Sequence, residues 1–195
     1  MTVRQALGEL VNEGYITKIK GKVSIVIRKE RKGLGVLSVR GFSDIVSSAK
    51  KKVSTRFIER PSHKDWPDSF FYDLSEQEKR VGAVFLKRIR LVDDVPVMLE
   101  STYMPDIELA NFAQVEFVNG SLFDTLNAIY EIEIINVEQD LRAIIPDNET
   151  REILDIPKNA AALQVYLKFL TNKPYFSIYS SLICDTTTYS ISNVL

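Results

Sequence analysis

The chain has 195 residues, 45% of them hydrophobic and 26% charged, with 25 lysines and arginines against 26 aspartates and glutamates. That length can bury a sizeable core, and the near-zero net charge by itself says nothing about a nucleic-acid partner. A single cysteine, Cys184, excludes an intrachain disulfide; a single histidine, His63, leaves no metal ligand set and no Cys–His pair, so no metal, cofactor or catalytic residue is expected. No apolar run reaches the ~20 residues of a membrane helix. The amphipathic, mixed-charge start does not read as a signal peptide. A cytoplasmic protein without membrane contact is the expectation.

The charge is unevenly distributed. Residues 1–32 carry eight lysines and arginines against three glutamates, a basic end on a neutral body. Within it, Val3, Ala6, Leu7, Leu10 and Val11 recur at helical spacing, which predicts a helix over 2–14 with Gly14 as its stop. Tyr15–Ile19 and Val23–Ile27 follow as a short hairpin with a basic Lys20-Gly21-Lys22 tip. A helix followed by a hairpin with a cationic tip is the second half of a winged helix, whose helix enters the major groove and whose wing touches the backbone.

Thr2-Val-Arg-Gln-Ala-Leu7, Leu10-Val-Asn-Glu-Gly-Tyr-Ile16 and Lys20-Gly-Lys22 resemble the end of the winged helix of GntR-type bacterial regulators, in particular the HutC subfamily. The resemblance implies a partial winged helix over residues 1–30. It places Thr2, Arg4 and Gln5 near operator DNA and Lys20 and Lys22 at the wing. Arg4 has the fork that matches a guanine edge; a solvated helix face is its alternative reading. The family's two preceding helices are not in the sequence, so the chain as given is expected to bind operator DNA poorly.

Residues 28–35 are charged and glycine-containing, a linker before a body over 36–195. Phe42–Lys50 is expected to be a short helix starting at Phe42 or Ser43, and Val53–Glu59 a strand. Arg60–Tyr72, with Pro61, Trp66 and Pro67, is expected to be a long loop. Ser75 and Glu78 form a capping box at the start of a short helix.

Ala83–Val92 and Val95–Pro105 then read as a long β-hairpin turned at Asp93-Asp94. Arg88 and Arg90 stand two residues apart in the first arm, so their side chains share a face. Spacing allows two readings: an exposed basic face on an edge strand, or two forks holding a carboxylate or phosphate. Glu100 on the return arm could pair with Arg88 across the hairpin or bind a ligand. A regular two-residue turn would set Arg88 opposite Leu99, so a one-residue offset near Pro96 is expected if Glu100 shares the arginine face.

Further on, Glu108–Phe112 is a helical turn. A helix follows Gly120, with Ser121 as its N-cap and Leu122, Leu126 and Ile129 inward. Glu133–Ile145 is a strand, and Asn148–Leu154 a short helix capped by Asn148. Leu163–Leu170 and Tyr175–Ile183 form a hairpin turned at Asn172-Lys173. Long antiparallel strands with helices between them make an α+β fold.

This order resembles the UTRA domain, the sensor half of HutC-type regulators, over nearly all of residues 36–195. The most specific segments are Lys87–Leu91, Glu100–Pro105 and Gly120–Phe123. The resemblance implies an antiparallel six-stranded sheet with helices, similar to chorismate lyase, that binds a small effector and dimerises. It marks Arg88, Arg90, Glu100, Ser121, Phe123, Phe42, Ser43 and Tyr189 as effector-binding residues. A helix N-terminus behind Ser121 favours anions, which suggests a phosphorylated sugar or polyol. The sequence departs from the family near its end, where Phe176 stands at an acidic position while Asp185 is kept.

The expected function is a ligand-responsive DNA-binding transcriptional regulator, in the first instance a repressor and a homodimer. The alternatives are a chorismate lyase-like enzyme and a small-molecule-binding module without DNA binding. No acid–base or nucleophile pair supports the enzyme.

Overall fold

A computed structural model describes residues 52–187 apart from 108, with short stretches at 3, 5–7, 16–18, 24–26, 32–33 and 189–190. The chain divides into two units, Met1–Gly33 and Leu34–Leu195. In the first, residues 5–7 are helical, with Gln5 exposed and Ala6 and Leu7 half-buried. Strands β1 (Ile16–Lys18) and β2 (Ser24–Val26) pair antiparallel, Thr17 opposite Ile25, around the predicted basic tip. Thr2, Arg4, Lys20, Lys22, the linker apart from residues 32–33, and the expected helix at 42–50 with Phe42 and Ser43 lie outside the described residues.

The second unit is built on six antiparallel strands: β3 (Val53–Lys64), β4 (Ala83–Val92), β5 (Val95–Pro105), β6 (Ile134–Ile144), β7 (Ala162–Thr171) and β8 (Ser177–Cys184). Their order across the sheet is β3-β4-β5-β8-β7-β6. The central strands are buried on both faces, which is why β4 reads as a nearly unbroken apolar run. One face carries the larger core, including Leu86, Met98, Met104, Val165, Leu167, Ile178 and Leu182, covered by Phe112, Leu122 and Leu126. The other carries a smaller cluster of Ile89, Leu99, Leu154, Ile156 and Ala162, and an aromatic group around Trp66, Tyr103 and Tyr179.

Three helices described in the second unit start where side-chain acceptors sit. Helix α1 (Glu76–Arg80) opens on the full Ser75–Glu78 capping box. Helix α2 (Leu122–Tyr130) is capped by Ser121, whose hydroxyl accepts from the Asp124 amide. Helix α3 (Asn148–Leu154) is capped by Asp147, not Asn148: its carboxylate accepts from the Thr150 amide at 2.7 Å. Asp147 stands one residue before the expected cap, and its charged acceptor takes the role.

Other departures have similarly local causes. The expected loop from Arg60 is still strand as far as Lys64, because β3 is an edge strand with register shifts between Phe57 and Ser62. An irregular edge accommodates Pro61. The expected turn of helix before Phe112 is instead a 3-10 turn at Phe112–Gln114. Ile129, expected inward, is 48% exposed, and Thr125 is buried instead. Thr125 can sit there because its hydroxyl donates to the Ser121 carbonyl and accepts from the Val118 amide.

Glu78 shows how the aromatic face is tied to the sheet. Its carboxylate is buried, with one oxygen accepting from the Ser75 amide and hydroxyl and the other from the Tyr179 hydroxyl at 2.8 Å. Burial, then the bond to Glu78, pushes the Tyr179 phenol above its ordinary value, so it donates throughout the neutral range. Tyr179→Phe leaves one oxygen of a buried carboxylate without its donor. Urea unfolding is expected to show a loss of about 1–3 kcal/mol; an unchanged midpoint would count against this anchoring role.

Candidate functional site

The hairpin of β4 and β5 has both a tight turn and an offset. Asp93 and Asp94 occupy it alone, with φ of 52° and 64°, and Val92 faces Val95. Two successive left-handed residues are the geometry of a two-residue hairpin turn. The register then shifts between Arg90 and Leu91: Leu91 faces Pro96 and Arg90 faces Met98, leaving Val97 as the extra residue. The carbonyl of Val97 accepts instead from the Asp185 amide, just beyond β8. This bulge supplies the expected offset and sets Arg88 directly opposite Glu100.

The exposed reading of the arginines is overturned. Arg88 is 1% exposed and Arg90 4%, because β4 lies inside the sheet with β3 beyond it. Arg88 Nη2 donates to Glu100 Oε1 at 2.6 Å, and Arg90 Nε lies 3.4 Å from Glu100 Oε2. Arg90 Nη1 donates to the Thr55 hydroxyl at 2.7 Å. Thr102 donates to Glu100 Oε1 at 3.3 Å and shares a hydrogen bond with the Ser180 hydroxyl at 2.8 Å. One carboxylate thus faces two guanidinium groups. The pairing of Glu100 with Arg88 across the hairpin is real.

It does not exhaust Arg88. Its Nε and Nη1 are buried with no hydrogen-bond partner among the described residues. The Phe117 ring lies 5.8 Å from the guanidinium carbon, offering a cation–π face but no acceptor. Orphaned buried donors cost about 1–3 kcal/mol each. The cluster also carries unequal charge, two cations to one anion. Burial and then the neighbouring Arg88 lower Arg90 to about 10, so it remains charged at neutral pH. Burial raises the Glu100 carboxyl, but Arg88 and Arg90 outweigh it and hold the group below its ordinary value. The geometry can accept an acceptor-rich anion.

The other sequence-predicted residues fall into two groups. Ser121 is buried and spends its hydroxyl on the cap of α2, and Phe123 packs edge-on against Phe169 at 4.9 Å. Phe117, a few residues before Ser121, links that segment to Arg88 and to Phe57. Phe42 and Ser43 are not described, and Tyr189 is described only as backbone of a two-residue strand. Phe176 is buried in the larger core. The sequence reading left out Thr55, Thr102 and Ser180. Thr102 had a signal, standing two residues from Glu100 on the same face; Thr55 and Ser180 come from strands whose register no local pattern gives. Cys184 is buried, and burial pushes its thiol up to about 12, consistent with a core residue rather than a nucleophile.

Glu100→Gln tests the electrostatics. The contribution of a carboxyl held below its usual value is fully present above about pH 4.5 and is lost as pH falls through the lower folded value. The variant is expected to lose about 3–5 kcal/mol at neutral pH and to lack that part of the acid-dependent decline. Urea unfolding across pH measures both; parallel pH curves for the two proteins would contradict the assignment.

Comparison with known proteins agrees with this architecture. Residues 73–174, slightly more than half of the chain, match the UTRA domain. The HTH-type transcriptional repressor NagR of Bacillus subtilis is 27% identical over 175 residues, covering 85% of this chain and 66% of that protein. The HTH-type transcriptional regulator TreR of the same organism is 25% identical over 163 residues, covering 80% of this chain. The chain therefore spans 66% and 64% of the length of these two relatives. In structure it is similar to PhnF of Mycobacterium smegmatis, with a TM-score of 0.72 at 15% identity over 99% of this chain and 83% of that one; this likeness concerns the fold. The chain belongs to the UTRA domain family.

Proposed function

We propose that this UTRA-family chain is the sensing part of a GntR-type, HutC-like transcriptional regulator, and that its buried arginine pair binds the anionic group of a small effector. The observation that carries this reading is Arg88: two buried guanidinium donors without acceptors among the described residues, beside a carboxylate that already serves both arginines. A ligand anion supplies the missing acceptors. A phosphate does so with several oxygens, so a phosphorylated sugar or polyol is the effector class proposed. Glu100, Ser121 and Phe123, with Phe42, Ser43 and Tyr189, are the remaining effector contacts in this reading.

The relatives named as a repressor and a regulator support a regulatory rather than an enzymatic role. Thr2, Arg4, Gln5, Lys20 and Lys22 are the proposed operator contacts in the complete winged helix. The whole regulator is proposed to be a cytoplasmic homodimer and a repressor. Its effector works by favouring one dimer geometry over another.

Thermal-shift titration with sugar phosphates and their unphosphorylated parents tests the anion assignment. The phosphorylated members are expected to stabilise the protein, by about 2.7 kcal/mol at a hundred times the dissociation constant. Arg88→Lys keeps the charge but loses the fork, and is expected to weaken binding about tenfold. Equal shifts from phosphorylated and unphosphorylated sugars would overturn the phosphate, and undiminished binding in Arg88→Lys would overturn the site.

A further inference from the structure

The second face of the sheet carries a separate cavity. Side chains alternate along a strand, so Phe85, Tyr103 and Tyr179, in register with one another, lie on the side opposite Arg88 and Glu100. The segment after β3 folds over them. Trp66 stacks on Tyr103 at 6.1 Å and meets Phe70 at 5.1 Å and 73°, and Phe70 meets Tyr179 at 5.3 Å. The Trp66 indole N–H donates to the Glu78 and Val81 carbonyls at 2.9 and 3.0 Å, so the ring is fixed. The Tyr72 hydroxyl reaches the Glu138 and Tyr166 carbonyls at 3.3 and 3.4 Å.

Beside the outer rings of this group, and open to solvent, lies a cavity of about 490 Å³, with Trp66, Phe70 and Tyr72 among its lining and Asp68 and Asp73 also on it. This volume falls in the range of roughly 300–1,000 Å³ typical of small-molecule sites. The lining has two carboxylates and one ammonium, Lys79, which is held by Glu76 at 2.8 Å. Asp68 makes no hydrogen bond or ion pair among the described residues. The same aromatic group already holds cations on three flanks. Lys64 lies 4.4 Å from the Phe85 centroid, Arg142 lies 5.2 Å from Tyr166 and Lys168 lies 5.8 Å from Tyr179.

We propose that this cavity binds a small organic cation, an alkylated ammonium, with its charge against the Trp66, Phe70 and Tyr72 rings and its field supplied by Asp68 and Asp73. Ring quadrupoles attract a cation whose hydration is weak, and alkyl groups need no hydrogen-bond acceptors from the ring faces. The two carboxylates are exposed, so they draw the cation in without bearing the cost of a buried charge. This site is independent of the arginine pair and does not rest on the effector reading.

Trp66 is the only tryptophan in the chain, so intrinsic fluorescence reads this cavity directly. Choline is the probe, and 3,3-dimethyl-1-butanol, its neutral carbon counterpart, is the control. The expected result is a saturable change in Trp66 emission with choline and none with the alcohol. The double variant Asp68→Asn, Asp73→Asn is expected to weaken choline binding about tenfold. Both carboxylates are on the surface, and an unchanged melting temperature in the variant certifies its fold. No saturable change with choline, equal titration by the neutral alcohol, or undiminished binding in the double variant would each overturn the proposal.

Discussion

The interaction on which the rest of the structure depends is the buried meeting of Arg88, Arg90 and Glu100. Two guanidinium groups inside a sheet are admissible only with a counter-charge, and Glu100 is that charge. Its position follows from one extra residue. Without the bulge at Val97, the period-two alternation of β5 would send Glu100 to the opposite face and present Leu99 to Arg88. The bulge is itself held, because the Val97 carbonyl takes the amide of Asp185 at the end of the neighbouring strand. A backbone irregularity and a charge cluster thus specify each other.

The counter-charge is incomplete, and that is where structure turns toward function. Glu100 balances the two arginines in number of contacts but not in charge, and Arg88 retains two donors without acceptors among the described residues. A core assembled only for stability would replace such a cluster with apolar side chains of the same volume, often at no loss. Its persistence in the middle of a well-packed sheet is intelligible if the missing acceptors arrive with a ligand. Thr55 accepts from Arg90, Thr102 donates to Glu100, and Ser180 on the neighbouring strand steadies Thr102, so the cluster is fixed by side chains of the sheet itself.

The two faces of the sheet solve different problems. On the arginine face, Leu122, Leu126 and Phe112 cover a large apolar core, and the charged cluster is an island within it. On the other, a group of rings stands beside the smaller aliphatic cluster, and three of its polar ends are individually satisfied: Tyr179 by Glu78, Trp66 by two carbonyls, Tyr72 by two more. Aromatic side chains suit a half-open face, since each offers a large apolar body and a polar edge. Trp66 and Tyr72 also line the open cavity that carries Asp68 and Asp73.

The sequence by itself determined what depends on neighbours along the chain. The capping box at Ser75, the N-cap at Ser121, the paired arms around Asp93-Asp94 and the shared face of Arg88 and Arg90 all follow from spacing and side-chain chemistry within a few residues. Even the bulge was legible, as the condition for Glu100 to reach the arginines. Tertiary structure decided what depends on partners far along the chain: that β4 is interior, so the arginines are buried; that Thr55 meets Arg90 and Ser180 meets Thr102; that β3 persists past Pro61 because it is an edge; and that Thr125 replaces Ile129 inside. The physical reason is that periodicity tells which side chains share a face, whereas burial depends on which strand lies beyond, and that is set by pairings between segments widely separated in sequence.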